Sequence, residues 1–481
     1  MTTSKNYDVI IIGSGPAGLS LAQGCSYYGK KVLVIDKESS IGGCHRVRRV
    51  NNTLFTEHGP RIYSTNYQTF KQFLKNIDIK FNDIFVKANN VLPITYWIQQ
   101  ISLCDVLCLL WTTVFTSTFF KEYGKDISMQ EYMNSYGFSK ESQYAIDTIC
   151  RSTDGASSDK YTCFEFFNII HQHALYTIME PKQPTDTELF PLWQSKLQNT
   201  GLVDFLLGTS IQQIQDHSVV YNSNQKVTAD NIVLAIPPES IVSLLQTSNS
   251  DTIKNAFGNI DTLNSWAQHT SYKDYISFTI HYDQTVNIDS LKREYSPWGI
   301  VFVNLSKYMK FVDIDKPTST VFSCIITKLD VPSPITGLTA NQTLDSNELL
   351  DEAVRQLYVA TKGLPKFKIA LLSPGTFRNT QEQPNHWDDV DTAFMLVPNA
   401  TFLQQHSNLM WLWNVGSHNG YQKYNFTSLE SAVSNSAALL HKWFPNTDVK
   451  EKFPIIAPLE LRTFILLFWI ISFVIVLFKS S

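Results

Sequence analysis

The chain opens on a short run of β-branched residues, 7–12 (YDVIII), of the kind a parallel strand buried on both faces requires. It runs straight into Gly13-Ser14-Gly15-Pro16-Ala17-Gly18. Apolar positions then recur at helical spacing through Leu19, Leu21, Ala22 and Cys25, and the pattern stops at Gly29. Residues 31–35 (KVLVI) read as a second strand that ends at Asp36. Strand patterns return at 203–214 and at 231–238 (NIVLAIPP), and a later region is strand-rich at 275–282, 298–305 and 320–328. The stretch 92–196 between them is expected to be mainly helical.

Two segments break this amphipathic habit. Residues 463–478 (TFILLFWIISFVIVLF) contain no charge, Pro or Gly and lie between Arg462 and Lys479. As a helix they would span about 24 Å. An apolar surface on every side predicts a single-pass C-terminal membrane anchor over 459–481 with the body facing the cytosol. Residues 92–120 carry one charge, Asp105. A carboxylate mid-span is costly in lipid, so this stretch is expected as a buried or membrane-surface helix pair. The polar residues before Tyr7 predict no signal peptide.

With 481 residues, 43% hydrophobic and 17% charged, the chain is long enough for two or three domains, and its charge content is low for a fully solvated surface. A net charge of -4 excludes a general nucleic-acid binder. The seven cysteines include no C-x-x-C pair. Cys104 and Cys108, in an apolar run, are expected as buried thiols rather than metal ligands. No H-E-x-x-H, G-x-S-x-G or Walker sequence occurs, which excludes the corresponding hydrolase and P-loop readings.

Strand, glycine turn, helix, strand and acid together make a dinucleotide-binding unit. Gly13 permits the tight turn, Gly15 lets backbone approach a pyrophosphate, and Gly18 lets the helix lie close on the sheet. The helix start, with Pro16 and Ala17 in its first turn, offers free N–H groups to phosphate. Asp36, followed by Lys37, stands where a carboxylate meets a ribose hydroxyl. A second glycine pair follows at Gly42-Gly43, and Glu57-His58-Gly59-Pro60-Arg61 comes after it.

With those motifs the chain resembles the FAD-dependent amine oxidase superfamily, which includes amine oxidases, protoporphyrinogen oxidase, and carotenoid desaturases and isomerases. Gly42-Gly43 resembles the extended FAD fingerprint, and Gly59, Pro60 and Arg61 resemble the stretch that reaches the flavin. Residues 203–214 and 231–238 resemble the second visit to the FAD domain, with a turn at Ser210 and Ile211 near the adenine. Residues 411–416, with Gly416, and Ser428-Leu429-Glu430 resemble the closing flavin motif, where a helix start faces the isoalloxazine. The resemblance implies an α/β fold: a Rossmann-type FAD domain (1–91, 197–245 and 404–444) interleaved with an α+β substrate domain (92–196 and 246–403).

Several positions depart from the family. Cys44 stands where Arg is usual, and Arg46, two residues on, is the candidate for diphosphate contact. The family's Lys near flavin N5 is replaced by Ser277, with Lys273 offset by four residues. Ser428 replaces a cage Tyr, and no Cys follows Cys324 to carry a covalent flavin link. These departures imply noncovalent FAD and a substrate other than a simple amine. No second nicotinamide fingerprint is present, so oxygen or a membrane quinone is the expected electron acceptor. The anchor, the apolar 92–120 stretch and 13% aromatic residues point to a small lipophilic substrate. Hydride transfer to flavin is the implied chemistry, with no catalytic side chain assigned. A redox-neutral isomerase and a catalytically silent membrane scaffold are the alternatives.

The remaining candidates have plainer readings beside them. The His45, Arg46, Arg48 and Arg49 cluster is either a solvated loop or a phosphate contact. His58 and Arg61 are candidates to meet substrate. His418 and Asn419 are placed near the flavin. Trp387 is expected to pack in the core, and Asp388-Asp389 to lie on the surface.

Overall fold

The computed structural model describes residues 6–88, 98–173, 175–222, 225–271, 275–288, 296–311, 319–380, 386–423 and 427–480. Strand β1 (Asn6–Ile12) leads into helix α1 (Pro16–Tyr27) and then strand β2 (Val32–Ile35). The chain returns to this sheet through β3 (Val203–Leu206), β4 (Ile211–Gln215), β5 (Ser218–Tyr221) and β6 (Gln225–Leu234). The strand order is β3-β2-β1-β6-β5-β4. The inner pairs are parallel, and β4 to β6 form an antiparallel meander at one edge. All four residues of β2 are buried, as a strand covered on both faces requires. Helix α2 (Pro238–Gln246) leaves the sheet at Pro237-Pro238.

A second sheet is wholly antiparallel. It contains β7 (Ile276–Tyr282), β8 (Ile300–Asn304), β9 (Thr320–Ile326) and β10 (Ile369–Leu372), in the order β8-β9-β7-β10. Strand alternation gives it two different faces. Phe278, Ile280, Phe302, Phe322 and Cys324 pack in one core with Leu349, Ala353 and Leu357 of helix α3 (Ser346–Thr361) and with Trp387. Ser277, Thr279, Val301, Val303, Ser323 and Ile325 lie on the opposite face by register. That face meets the cofactor domain: Ser277 Oγ donates to the carbonyl of His58, and His281 Nε2 lies 2.9 Å from the carbonyl of Phe55.

Between the first two visits of the chain to the first sheet lies the helical stretch, with helices at Met129–Ser135, Lys140–Asp154 and Cys163–His173. Ile178–Pro181 and the helix Leu189–Gln198, expected with the substrate domain, instead add Met179, Phe190 and Trp193 to the core beneath α1.

The last visit to the first sheet is short. Strand β11 (Leu412–Asn414) pairs in parallel with the end of β6, Ile232 opposite Leu412. Thus β6 changes neighbour midway, from the meander at Gln225 to Thr228 to β11 at Ile232 to Leu234. Helix α4 (Leu429–Trp443) then packs on α1, so closely that a Cβ on Gly24 would lie 2.1 Å from Leu440.

The apolar stretch 92–120 differs from one of its expectations. Its described part forms a helix, Leu103–Trp111, that continues into a π turn. Asp105 is on the covered face, where its carboxylate accepts from the hydroxyls of Ser102 (2.6 Å) and Ser139 (3.2 Å). The opposite face leaves Leu103 75% exposed, together with Leu107, Leu110 and Trp111. Cys104 is exposed and Cys108 half-buried, contrary to the expectation of two buried thiols. An apolar run does not say which of its sides is covered. The last helix, Leu461–Ser480, touches this region through Phe115 and Trp469, whose rings are 5.9 Å apart. Its side chains are described as far as Ile475, and among the described residues no helix is long and apolar enough to cross a membrane.

Candidate functional site

The glycine turn is shaped by contact. Gly13 has φ +109°, and a Cβ there would lie 2.2 Å from the carbonyl oxygen of Ala235. A Cβ on Gly18 would lie 2.0 Å from the oxygen of Gly13, so α1 can approach β1 only without one. Gly43 (φ +57°) brings its backbone against Gly15: a Cβ on it would be 2.9 Å from the Gly15 Cα. The two glycine motifs therefore form a single cradle.

That cradle opens into a cavity of about 400 Å³. Gly13, Gly15, Pro16 and Ala17 line one side, and Asp36, Lys37, Gly43 and Arg46 the other. Ile211 and Gly416 close it at β4 and after β11. A second chamber of about 200 Å³ is lined by Gly59, Pro60, Arg61, Ser428 and Leu429. Pro16, Cys44, Phe394, Ser417 and Ala432 belong to both walls, so the chambers are adjacent.

Three expected site residues lie outside the walls. Gly18 acts in helix packing. Gly42 (φ +126°) turns the chain against Phe190. Glu430 is a correction: its carboxylate faces away and accepts from the backbone amides of Thr69 (2.7 Å) and Phe70 (2.9 Å). It caps the helix Gln68–Asn76, whose first-turn amides have no intrahelical acceptor. Position in the motif placed Glu430 near the cofactor; the direction of its side chain was not in the sequence.

Charge is concentrated at the first chamber. Asp36 accepts from the amide (2.8 Å) and hydroxyl (2.5 Å) of Ser14 and from the amide of Glu38 (2.9 Å). Arg46 is buried, 3.4 Å from Asp36 and 3.5 Å from Asp391, and its Nε donates to the carbonyl of Ser40. Arg48 grips Asp391 with two hydrogen bonds (2.8 and 3.0 Å) and reaches Glu38 at 3.1 Å. Arg49 pairs with Asp186. The arginines of the cluster are therefore ion-paired, Arg46 buried and Arg48 and Arg49 half-buried, and do not form a solvated loop.

Asp388-Asp389 is likewise not surface charge. Asp388 is buried, and Asp389 lies 3.1 Å from His58 Nδ1. Burial alone would raise the Asp389 carboxyl, but His58, the Asp391 amide and the Thr376 hydroxyl hold it below its ordinary value. His58, Asp389 and Asp391 come close enough to bracket a cation. Both oxygens of Asp391 already accept from arginine, however, and two guanidiniums would repel a metal there. His58 is buried and takes no part in either cavity wall, whereas Arg61 does.

His418 lines the first chamber with its Nε2 3.0 Å from Asn414 Oδ1. Burial pushes its imidazole down to about 3, so it is neutral. Lys273 lies outside the described residues. Ser277 donates to the His58 carbonyl and does not line the second chamber.

Several wall residues had no sequence signal. Ser240 and Ser243 come from α2, Thr247 from just after it, and Asp391, Thr392 and Phe394 from the segment after Trp387. In the second chamber Ser152, Thr153 and Tyr275 join Val301, Val303 and Ile325.

The arrangement fits a dinucleotide with a flat ring at its far end. The glycine cradle and the start of α1 suit a diphosphate, Asp36 stands at the ribose position, and the second chamber is bounded by strand side chains and the start of α4. Residues 11–77 match the family model of an NAD(P)-binding Rossmann-like domain. The UDP-galactopyranose mutase of Mycoplasma genitalium is 37% identical over 72 residues, which is 15% of this chain and 18% of that protein. A soluble pyridine nucleotide transhydrogenase of Vibrio cholerae is 35% identical over 94 residues, 16% of this chain and 20% of that protein. The chain thus spans about a fifth of the length of these curated relatives.

Similarity in structure runs further. A putrescine oxidase bound to putrescine superposes with TM-score 0.59 at 11% identity, covering 92% of this chain and 100% of that one. An oxidoreductase from Methanosarcina mazei gives 0.58 at 12% identity, covering 91% and 100%. A reduced UDP-galactopyranose mutase gives 0.55 at 12%, covering 93% and 97%. The chain has the α/β fold of these proteins, a Rossmann-type dinucleotide domain with an added substrate domain.

Proposed function

We propose that the protein is an FAD-dependent oxidoreductase that binds FAD noncovalently and acts on a lipophilic substrate held at the membrane. The observation that carries this reading is that the Gly15–Gly43 cradle lies beside a second chamber walled by the second sheet, the two sharing lining residues. FAD bound there would supply the hydride acceptor. The chain's own residues do the rest. Backbone amides at the start of α1 hold phosphate, and Asp36 holds a ribose hydroxyl. Val301, Val303 and Ile325 exclude water and pack an apolar substrate. The start of α4 presents its positive dipole end to the second chamber, where Ser428 and Leu429 form the wall. No acid or base is assigned.

Anchoring is part of the same proposal. The helix Leu461–Ser480 would insert as a single C-terminal span with the body in the cytosol. The exposed Leu103, Leu107, Leu110 and Trp111 face would rest on the same bilayer. Truncation after Pro458 is expected to move the protein from the membrane fraction to the soluble one while it stays yellow. A truncated protein that remains membrane-bound would leave the terminal helix without that role.

The activity is tested with lipids that co-purify with the full chain. Anaerobic addition to oxidised holoprotein is expected to bleach the flavin, and air to restore it with oxygen uptake. A redox-neutral isomerase is the second reading, favoured by the match to a UDP-galactopyranose mutase over 72 residues. In that case the lipid rearranges only with pre-reduced flavin and no oxygen is consumed.

A further inference from the structure

The second chamber has an apolar lining with one full positive charge. Tyr275, Val301, Val303, Ile325 and Phe394 share its wall with Arg61. Arg61 Nη2 donates to the carbonyl of Cys44, while its Nε has no acceptor among the described residues. Nor does any described carboxylate lie within ion-pair distance of it. The acid that would balance it is Glu57, four residues earlier in the same loop. Glu57 is buried with one oxygen unpartnered. Burial pushes its carboxyl up to about 7, with the Ser323 hydroxyl and Arg61 pulling the other way. Glu180, the next acid in this region, is also buried with both oxygens unpartnered and is pushed well up by burial.

A guanidinium stays charged even when half-buried, and Arg61 keeps its Nε away from water without an acceptor, which is unfavourable until a ligand supplies one. The chain therefore holds a cation at the wall of the second chamber with no described carboxylate in ion-pair contact with it. The diphosphate cradle cannot serve as that anion's place: Arg46 stands in that chamber's wall, and Arg61 does not.

We infer that Arg61 anchors an anionic head group of the substrate, which is an amphiphile bearing a carboxylate or phosphate at one end and an apolar body against Val301, Val303 and Ile325. This deepens the proposed function and rests on it, since the second chamber is taken as the flavin end. The fork of guanidinium donors suits two oxygens of one oxyanion. Glu57 makes no ion pair with that guanidinium, whose Nε has no acceptor among the described residues.

The test uses full-chain holoprotein titrated with octanoate, octyl phosphate, octan-1-ol and octylamine, read by calorimetry and by perturbation of the flavin spectrum. At least one of the two anions is expected to bind saturably, roughly tenfold or more tighter than the alcohol and the amine. The better anion identifies the head group. Arg61→Gln is expected to keep the flavin-to-protein ratio and lose the anion preference, and Arg61→Lys to retain part of it. Equal affinity for all four, preference for the amine, or no binding of either anion to a yellow protein would overturn the inference alone. So would loss of flavin in Arg61→Gln and Arg61→Lys, which would make Arg61 a cofactor ligand. A wild-type protein that stays colourless with added FAD would bring down the proposed function as well.

Discussion

The two chambers of this cavity are built by different means. The first is made from backbone: glycines whose Cβ atoms would collide, a helix start, and a buried network linking Asp36, Arg46, Asp391, Arg48 and Glu38. The second is made from side chains projecting from strands of another sheet, with a single unpaired guanidinium. Backbone chemistry recognises what every dinucleotide shares. Side-chain chemistry is where one substrate is told from another. The first chamber should therefore fail by geometry, and the second by charge.

Gly13→Ala breaks the contrast most severely. With φ +109° and a Cβ 2.2 Å from the Ala235 oxygen, the cost is expected to exceed about 4 kcal/mol, seen as loss of folded protein by circular dichroism. Gly15→Ala separates fold from binding. Its Cβ would lie 3.5 Å from Gly43, an ordinary contact, yet it enters the cradle. The variant is expected to fold normally and to lose FAD affinity by about tenfold or more. Equal flavin content in Gly15→Ala and wild type would place the diphosphate elsewhere.

Asp391→Ala probes how the substrate domain closes the first chamber. It strips Arg48 and Arg46 of a buried partner and is expected to destabilise the protein by about 3–5 kcal/mol in urea unfolding. Glu430→Gln removes one of two acceptors capping the helix Gln68–Asn76. It should cost about 1–3 kcal/mol with flavin content unchanged, since the side chain points away from the cavity. Loss of flavin in this variant would return Glu430 to the cofactor site.

The smallest effect concerns pH. Glu57 is raised from 4.5 to about 7 in the folded chain by burial, with Ser323 and Arg61 opposing. Between those values the unfolded chain has released the proton and the native one has kept it. Stability from this group is thus full below pH 4.5 and falls as pH rises towards 7. Glu57→Gln is expected to flatten that part of the profile, measured as urea midpoints at about pH 5 and about pH 7. Parallel profiles would mean that Glu57 is ionised in the native state and is itself the counter-ion of Arg61.

The same contrast decides what could be read in the sequence. The β1–α1–β2 unit was legible because it depends on neighbours close in the chain and on glycine where nothing else fits, whereas Gly42-Gly43 and the start of α4 were marked only by the family resemblance. The bond from Arg48 to Asp391 spans 343 residues, and nothing local marks Asp391 as its partner. The wall of Val301, Val303 and Ile325 is set by register between strands, which alternation alone leaves open. Cys104 was misread because a uniformly apolar run hides which side is covered. Asp388-Asp389 was misread because paired acids are usually solvated, while here His58 and Thr376 reach Asp389 and Asn379 reaches Asp388.

The most direct test of the central claim, that this fold grips FAD without a covalent bond, is the visible spectrum of the purified full chain before and after acid precipitation. The account predicts a yellow protein whose colour passes entirely to the supernatant as FAD. A protein that is colourless and stays so after incubation with excess FAD, or a pellet that keeps its colour, would contradict it.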